Sequence, residues 1–177
     1  MKNNTSFKEI KPSEVDLNLI NLLPKVTTLI TAKKGDLINT MTIGWAEIGF
    51  LWYRPVVTTY VRESRYTLEF TEANDYFSLC FFDCKYKDDL IYLGRHSGRD
   101  ENKIEKVGFK TEFYNGVPYF LEASTVLICK KIYRDLINEE NFIDKDVYKR
   151  VYADNLDFHY RYVAEIVAVL QKEKTLW

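Results

Sequence analysis

The chain has 177 residues, 46% of them hydrophobic, which suits a single domain with a substantial core and excludes a disordered chain. Its 25 basic and 26 acidic side chains leave a formal net charge of −1, so no global field draws it to nucleic acid or to an anionic membrane, and any anion site has to be local. The opening Met-Lys-Asn-Asn-Thr-Ser lacks the apolar core of a signal peptide, and no run approaches the roughly 18 apolar residues of a membrane span, so a cytoplasmic protein is expected.

Taken in chain order, residues 1–25 are polar and broken by Pro12 and Pro24, and read as a segment packed on the main domain, which spans 26–171 and leaves a tail at 172–177. Residues 26–32 and 37–46, joined by Lys-Lys-Gly-Asp, form a hairpin signal. Gly49 and Pro55 bracket an aromatic linker, Phe50 to Tyr53, which serves either as a cap on the core or as a ring wall or dimer contact. Residues 56–62 read as a strand, and Ser64 is placed to cap a short helix ended by Asn74. A strand at 76–82 and a helix at 88–93 follow, with Asp100 placed to cap a second helix over 101–107 that Gly108 ends. Residues 110–114, the Asn115-Gly116 turn and a long arm over 119–133 suggest another hairpin, followed by a helix at 141–152 and a closing strand at 158–170. Strands outnumber helices without regular β-α alternation, which predicts a mainly β fold with short helices, a closed or nearly closed antiparallel barrel. There is no G-x-G-x-x-G or Walker loop, so a nicotinamide cofactor has no Rossmann domain to hold it.

The stretch that carries chemistry is 39–67. Arg62, Ser64 and Arg65 stand at a strand-to-helix turn, where unpaired helix N–H groups and two guanidinium forks suit a phosphate, and Tyr66 and Thr67 add hydroxyls. Without a ligand the same turn is a solvated one. If the strand from Thr40 to Trp45 pairs beside the strand entering the turn, its edge and the Trp45 indole border a flat aromatic ligand; otherwise it is a β-branched core strand. Ser97, Gly98, Arg99 and Lys103 form a second polar cluster, either a helix cap or part of the same site. His96 reads as a surface hydrogen-bonding residue and His159 as interface or core. Two distant histidines and the isolated Cys80, Cys84 and Cys129 build neither a zinc site nor a disulfide framework. No nucleophile with its base is marked, and Glu47 and Glu69 show no pairing for acid–base work.

Asn-Thr-Met-Thr-Ile-Gly-Trp (39–45), Arg-Pro-Val-Val-Thr-Thr-Tyr-Val-Arg-Glu-Ser-Arg-Tyr-Thr (54–67) and Gly-Arg-His-Ser-Gly-Arg-Asp (94–100), in this order, resemble the flavin reductase-like family, in particular its flavoredoxin-like branch. The resemblance covers roughly residues 20 to 170 and implies an FMN-binding split β-barrel. It implies that Thr40, Met41, Thr42 and Trp45 lie along the isoalloxazine, with backbone N–H groups stabilising its reduced form, and that Arg62, Ser64 and Arg65 hold the phosphate. Ser97, Gly98, Arg99 and Lys103 then lie over the flavin or its ribityl chain. It further implies a homodimer with FMN near the subunit boundary, NADH or NADPH as transient donor, and a small-molecule or protein electron acceptor. Two other readings are a non-enzymatic FMN electron carrier and a pyridoxamine phosphate oxidase-like flavin oxidase, and a binding protein without flavin is a third.

Overall fold

The computed structural model describes residues 7–172. In chain order these form β1 (Phe7–Ile10), α1 (Leu19–Leu22), β2 (Thr28–Lys34), β3 (Leu37–Thr42), β4 (Ala46–Leu51), β5 (Arg54–Arg62), α2 (Thr67–Glu72), β6 (Tyr76–Phe81), α3 (Lys87–Arg95), α4 (Lys103–Val107), β7 (Thr111–Tyr114), β8 (Val117–Phe120), β9 (Thr125–Leu136), α5 (Lys145–Val151) and β10 (His159–Lys172). One eight-stranded sheet runs β3-β2-β6-β9-β10-β5-β4, with β1 on β10, and β7 and β8 form a separate hairpin. Every pairing is antiparallel. The end strands β3 and β4 share no hydrogen bonds, so the barrel is split between them and not closed. Residues of both ends, Met41 and Ile43 from one and Ala46 and Ile48 from the other, nevertheless pack into one core.

Neighbouring residues of a strand point to opposite faces, and here both faces are covered. Ile30, Leu79, Leu127 and Val169 enter the core inside the barrel, with Phe70 of α2. Their neighbours Leu29, Cys80, Ile128 and Leu170 enter a second core with Leu90 and Leu93 of α3 and Phe120 of β8. That is why these strands read as unbroken apolar runs. The longest strand, β10, pairs with β5 over His159 to Glu165 and with β1 over Val169 to Lys172. Register shifts against β9 at Val163/Ala164 and Ile166/Ala168 mark bulges, which bend a strand and let its edge change partners.

Several boundaries differ from those expected. The expected 37–46 strand stops at Thr42, and Ala46 opens a new strand at the far end of the sheet. The expected aromatic linker is a β-hairpin, β4 to β5, turning on Trp52 and Tyr53 with φ of 51° and 61°. Bulky residues seldom adopt that left-handed region, so the sequence carries no turn signal there. The 119–133 arm is two strands in two different sheets, because Ser124 turns the chain by donating N–H to the Phe81 carbonyl at 2.8 Å. Helix α4 is capped by Asn102, whose Oδ1 accepts from Glu105 N–H, and not by Asp100. The N-terminal segment does more than pack on the domain, since β1 extends the sheet; residues 1–6, and 173–177 of the expected tail, lie outside the described residues. Among the described residues no helix is long and apolar enough to cross a membrane.

Helix α3 lies against β3 at a point where no side chain fits. A Cβ on Gly94 would meet Thr42 Oγ1 at 2.1 Å. Gly94→Ala is therefore expected to destabilise the fold by about 1–3 kcal/mol, although alanine favours an isolated helix by up to ~1 kcal/mol over glycine. Urea unfolding measures this, and adding Thr42→Ala should restore most of the loss.

Candidate functional site

The C-terminal end of α3 builds the site. The last carbonyls of a helix lack intrahelical partners and carry the negative end of its dipole, so they attract cations. Arg65 Nη2 donates to the Gly94 carbonyl. Lys103 Nζ donates to the carbonyls of Leu93 at 2.6 Å and His96 at 2.9 Å. Lys103 is only 3% exposed. Burial, and then the charge of Arg65, pushes its ammonium down to about 8, and burial followed by Arg62 lowers Arg65. Among the described residues neither cation forms an ion pair. The nearby Glu101 carboxylate is occupied by Lys106, Tyr92 and His96. Neutral carbonyls thus hold two cations whose positive charge is not cancelled by a paired carboxylate.

A cavity of about 130 Å³ opens beside them. It gathers Met41, Ser64, Arg65, Tyr66, Thr67, Ser97, Gly98 and Lys103, which come from all three segments singled out in the sequence. It also takes in Asn39, Arg95 and His96, which sequence reasoning left out of the site. Asn39 opens the first motif; its Nδ2 donates to Thr67 Oγ1 at 3.1 Å, joining β3 to the turn. A larger cleft, of about 710 Å³, adjoins the cavity and shares Asn39, Tyr66, Gly98 and Lys103 with it.

Four expected residues lie elsewhere, and a fifth reaches only the larger cleft. Thr40 is fully buried, its hydroxyl donating to the Ile30 carbonyl at 2.9 Å beside Thr31. Thr42 faces Gly94 of α3. Both follow from the alternation of β3, which turns Asn39 and Met41 toward the cavity and Thr40 and Thr42 away from it. Trp45 is half exposed, its indole 4.5 Å from the His159 ring and 6.2 Å from Tyr60. Arg99 lies over the Tyr66 ring at 4.6 Å, pairs with Glu69 at 2.9 Å, and lines the larger cleft alone. Arg62 lies outside the cavity, against Tyr152 and the Asp157 carbonyl.

The turn itself differs from the expectation in a way that changes its electrostatics. Ser64 does not cap α2, which begins at Thr67 after an uncapped Tyr66. Instead the Ser64 N–H and hydroxyl donate to the Asp157 carboxylate at 3.0 and 2.6 Å, and Arg62 Nη1 lies 3.7 Å from the same group. The amide at Ser64 is therefore not free for an anion. Asp157 is 93 residues away and no local pattern marks it; pairing of β5 with β10, Arg62 opposite His159, brings it there. Nor does β3 pair beside β5, since the two stand at separated positions in the sheet. The cavity's positive charge is that of Arg65 and Lys103, anchored on the carbonyls that end α3, and not that of free amides at the start of α2.

The aromatic pair of Trp45 and His159 lies outside the linings of the cavity and the cleft. His159 is buried, its Nδ1 2.8 Å from the Tyr152 hydroxyl, and burial, then Arg62, pushes it down to about 4, leaving it neutral at pH 7. As the last strand of the sheet, β3 also has one edge whose peptide groups no strand pairs.

Because the folded pKa of Lys103 lies below the usual lysine value, the unfolded chain holds a proton that the folded chain releases between about pH 8 and 10.5. Stability should therefore rise with pH through that window relative to Lys103→Met, which removes the titrating group. Parallel denaturation curves of the two proteins across those pH values check this.

Residues 20–175 match the family model described as the flavin reductase like domain. None of the curated proteins compared matches the chain. Among solved structures, the flavoredoxin of Methanosarcina acetivorans is 23% identical with a TM-score of 0.65, over 85% of this chain and 70% of that one. The FMN-binding domain of a flavin reductases-like enzyme from Shewanella baltica OS155 is 20% identical with a TM-score of 0.67, over 95% and 78%. The flavoredoxin of Desulfovibrio vulgaris (Miyazaki F) is 20% identical with a TM-score of 0.66, over 85% and 72%. These likenesses extend to the open antiparallel barrel, and the match over 20–175 places the chain in the flavin reductase-like family, as its three motifs implied.

Proposed function

We propose that the protein binds FMN and carries electrons from NADH or NADPH to a small-molecule or protein acceptor, acting as a homodimer in the cytoplasm. One observation carries this reading: Lys103, buried, and Arg65, half-buried, stand at the cavity with only backbone carbonyls as partners, in a chain of the flavin reductase-like family. A phosphate answers both charges and the hydroxyls of Tyr66, Thr67 and Ser97 that border them. FMN, when bound, supplies the redox chemistry, taking hydride from the nicotinamide and releasing electrons to the acceptor. The chain's part is to hold and orient. Met41 and Asn39 line the cavity from β3, the free edge of that strand offers backbone donors, and Trp45 is the ring proposed to border the isoalloxazine. Arg65 and Lys103 would hold the phosphate of FMN. The names of the relatives, two flavoredoxins and an FMN-binding domain, support the same ligand. The exposed tip of the β4–β5 hairpin, Phe50, Trp52 and Tyr53, supports an interface between copies.

Titrating FMN and riboflavin against the protein and following the visible spectrum tests the phosphate site. Lys103→Met should weaken FMN by about tenfold or more, the worth of a charge-assisted hydrogen bond, and leave riboflavin unchanged; equal losses would remove Lys103 from phosphate binding. Asp157→Asn takes a negative charge from beside the turn and should tighten FMN by roughly threefold, again without effect on riboflavin. Steady oxidation of NADH or NADPH by the FMN-loaded protein is expected, and its absence would leave a carrier that needs a protein donor.

A further inference from the structure

We infer that His96 is a modification site, whose Nε2 takes a phosphoryl group from a small donor of the acyl phosphate class and holds it among the cations of the small cavity. This goes beyond the flavin reading and does not require it. His96 follows the last residue of α3 and lines the cavity together with Arg65 and Lys103. Its Nδ1 lies 2.7 Å from Glu101 Oε1, which places the ring proton on Nδ1 and a lone pair on Nε2. The imidazole makes this one polar contact among the described residues and its side chain is 48% exposed, so Nε2 is open to a reactant. The ring is also clamped. It stacks on Tyr92 with centroids 4.0 Å apart and 20° between the planes, and the Tyr92 hydroxyl donates to the same Glu101 oxygen at 2.7 Å. Lys106 pairs with the other oxygen, and Lys106, then Tyr92, hold the Glu101 carboxyl down at about 2, so it stays a carboxylate at neutral pH.

The cavity beside this oriented imidazole suits a phosphoryl group. Its volume of about 130 Å³ lies below the roughly 300 Å³ at which sites for larger ligands begin. A phosphoryl group in transfer spreads negative charge over three oxygens, and Arg65 and Lys103 bring positive charge that no carboxylate pairs. Lys103 is itself no competitor as nucleophile, since its ammonium donates to the carbonyls of Leu93 and His96. Ser64 is the competitor, with its hydroxyl on Asp157 at 2.6 Å, and the products differ: phosphohistidine is lost in acid and phosphoserine is not. In the step the Nε2 lone pair forms an N–P bond while the bond from phosphorus to the acyl oxygen breaks. The carboxylate leaves with that electron pair and needs no proton, and nothing is oxidised or reduced. The ring keeps its Nδ1 proton and gains a positive charge, which Glu101 answers at 2.7 Å. The phosphoryl oxygens then pair with Arg65 and Lys103 and close the cavity to any other phosphate.

The test treats the full-length protein with acetyl phosphate at neutral pH and locates the product by mass spectrometry of its peptides. One phosphoryl group on His96, lost in acid and kept in alkali, is the expected result. His96 should react about tenfold or more faster in the folded protein than in the urea-unfolded chain, and Glu101→Gln should slow the folded protein by about tenfold, the worth of one charge-assisted hydrogen bond. His96→Asn should abolish the product. A phosphoryl group on Ser64 or elsewhere, an unmodified wild type, or equal rates in the folded and unfolded chains overturns the proposal and leaves the flavin reading standing. Saturating FMN should slow the reaction and riboflavin should not; a rate that FMN leaves unchanged, with His96 still modified, keeps the proposal and removes the flavin phosphate from the cavity instead. The wild-type product and the folded-to-unfolded ratio decide even if a variant does not fold.

Discussion

The carbonyls that close helix α3 hold Arg65 and Lys103, and the character of the site follows from those carbonyls having no formal charge. A carboxylate in the same place would pair each cation and leave nothing for a ligand. Dipoles satisfy the N–H groups geometrically while leaving the charge uncompensated, and burial makes that charge costly until an anion arrives, which is what depresses Lys103. Gly94 belongs to the same arrangement twice over. Its carbonyl accepts from Arg65, and its missing side chain lets α3 approach Thr42 closely enough for the helix end to reach the cavity.

The sheet serves this arrangement by stopping short of closure. Had β3 paired with β4, the peptide groups along its outer edge would be used up, and Asn39 and Met41 would face a closed interior. The split leaves that edge available beside the cavity. Both faces of the central strands are nevertheless buried, one inside the barrel and one under α3 and the β7–β8 hairpin, so the opening does not weaken either core. Helix α3 thus has two roles, covering Leu29 and Ile128 with Leu90 and Leu93, and presenting its last carbonyls.

Rings meet at Trp45 and His159, and cations meet the cavity at Arg65 and Lys103. Asp157 sets the boundary of the cationic zone. By taking the Ser64 amide and hydroxyl it neutralises the Arg62 side of the turn and confines the positive charge to the α3 side. Its arrival depends on β5 and β10 being neighbours, which also brings His159 beneath Trp45.

What the amino-acid sequence determined by itself was whatever depends on nearest neighbours along the chain. Apolar runs at 26–32, 56–62 and 76–82 became strands, Asn115-Gly116 became a turn with φ of 48° and 81°, Gly108 ended α4 in the left-handed region, and the three motifs held seven of the eight expected residues that meet in one cavity, Lys103 being the eighth. Tertiary structure decided which of those residues face the ligand and what charges it. Thr40 and Thr42 turned away because strand alternation is fixed by which face packs on α3, a partner some 50 residues distant. The free amides expected at Ser64 gave way to Arg65 and Lys103 held on the carbonyls that end α3, because a side chain reaches a helix end only where the fold brings the two within hydrogen-bonding distance, and no local pattern records that distance.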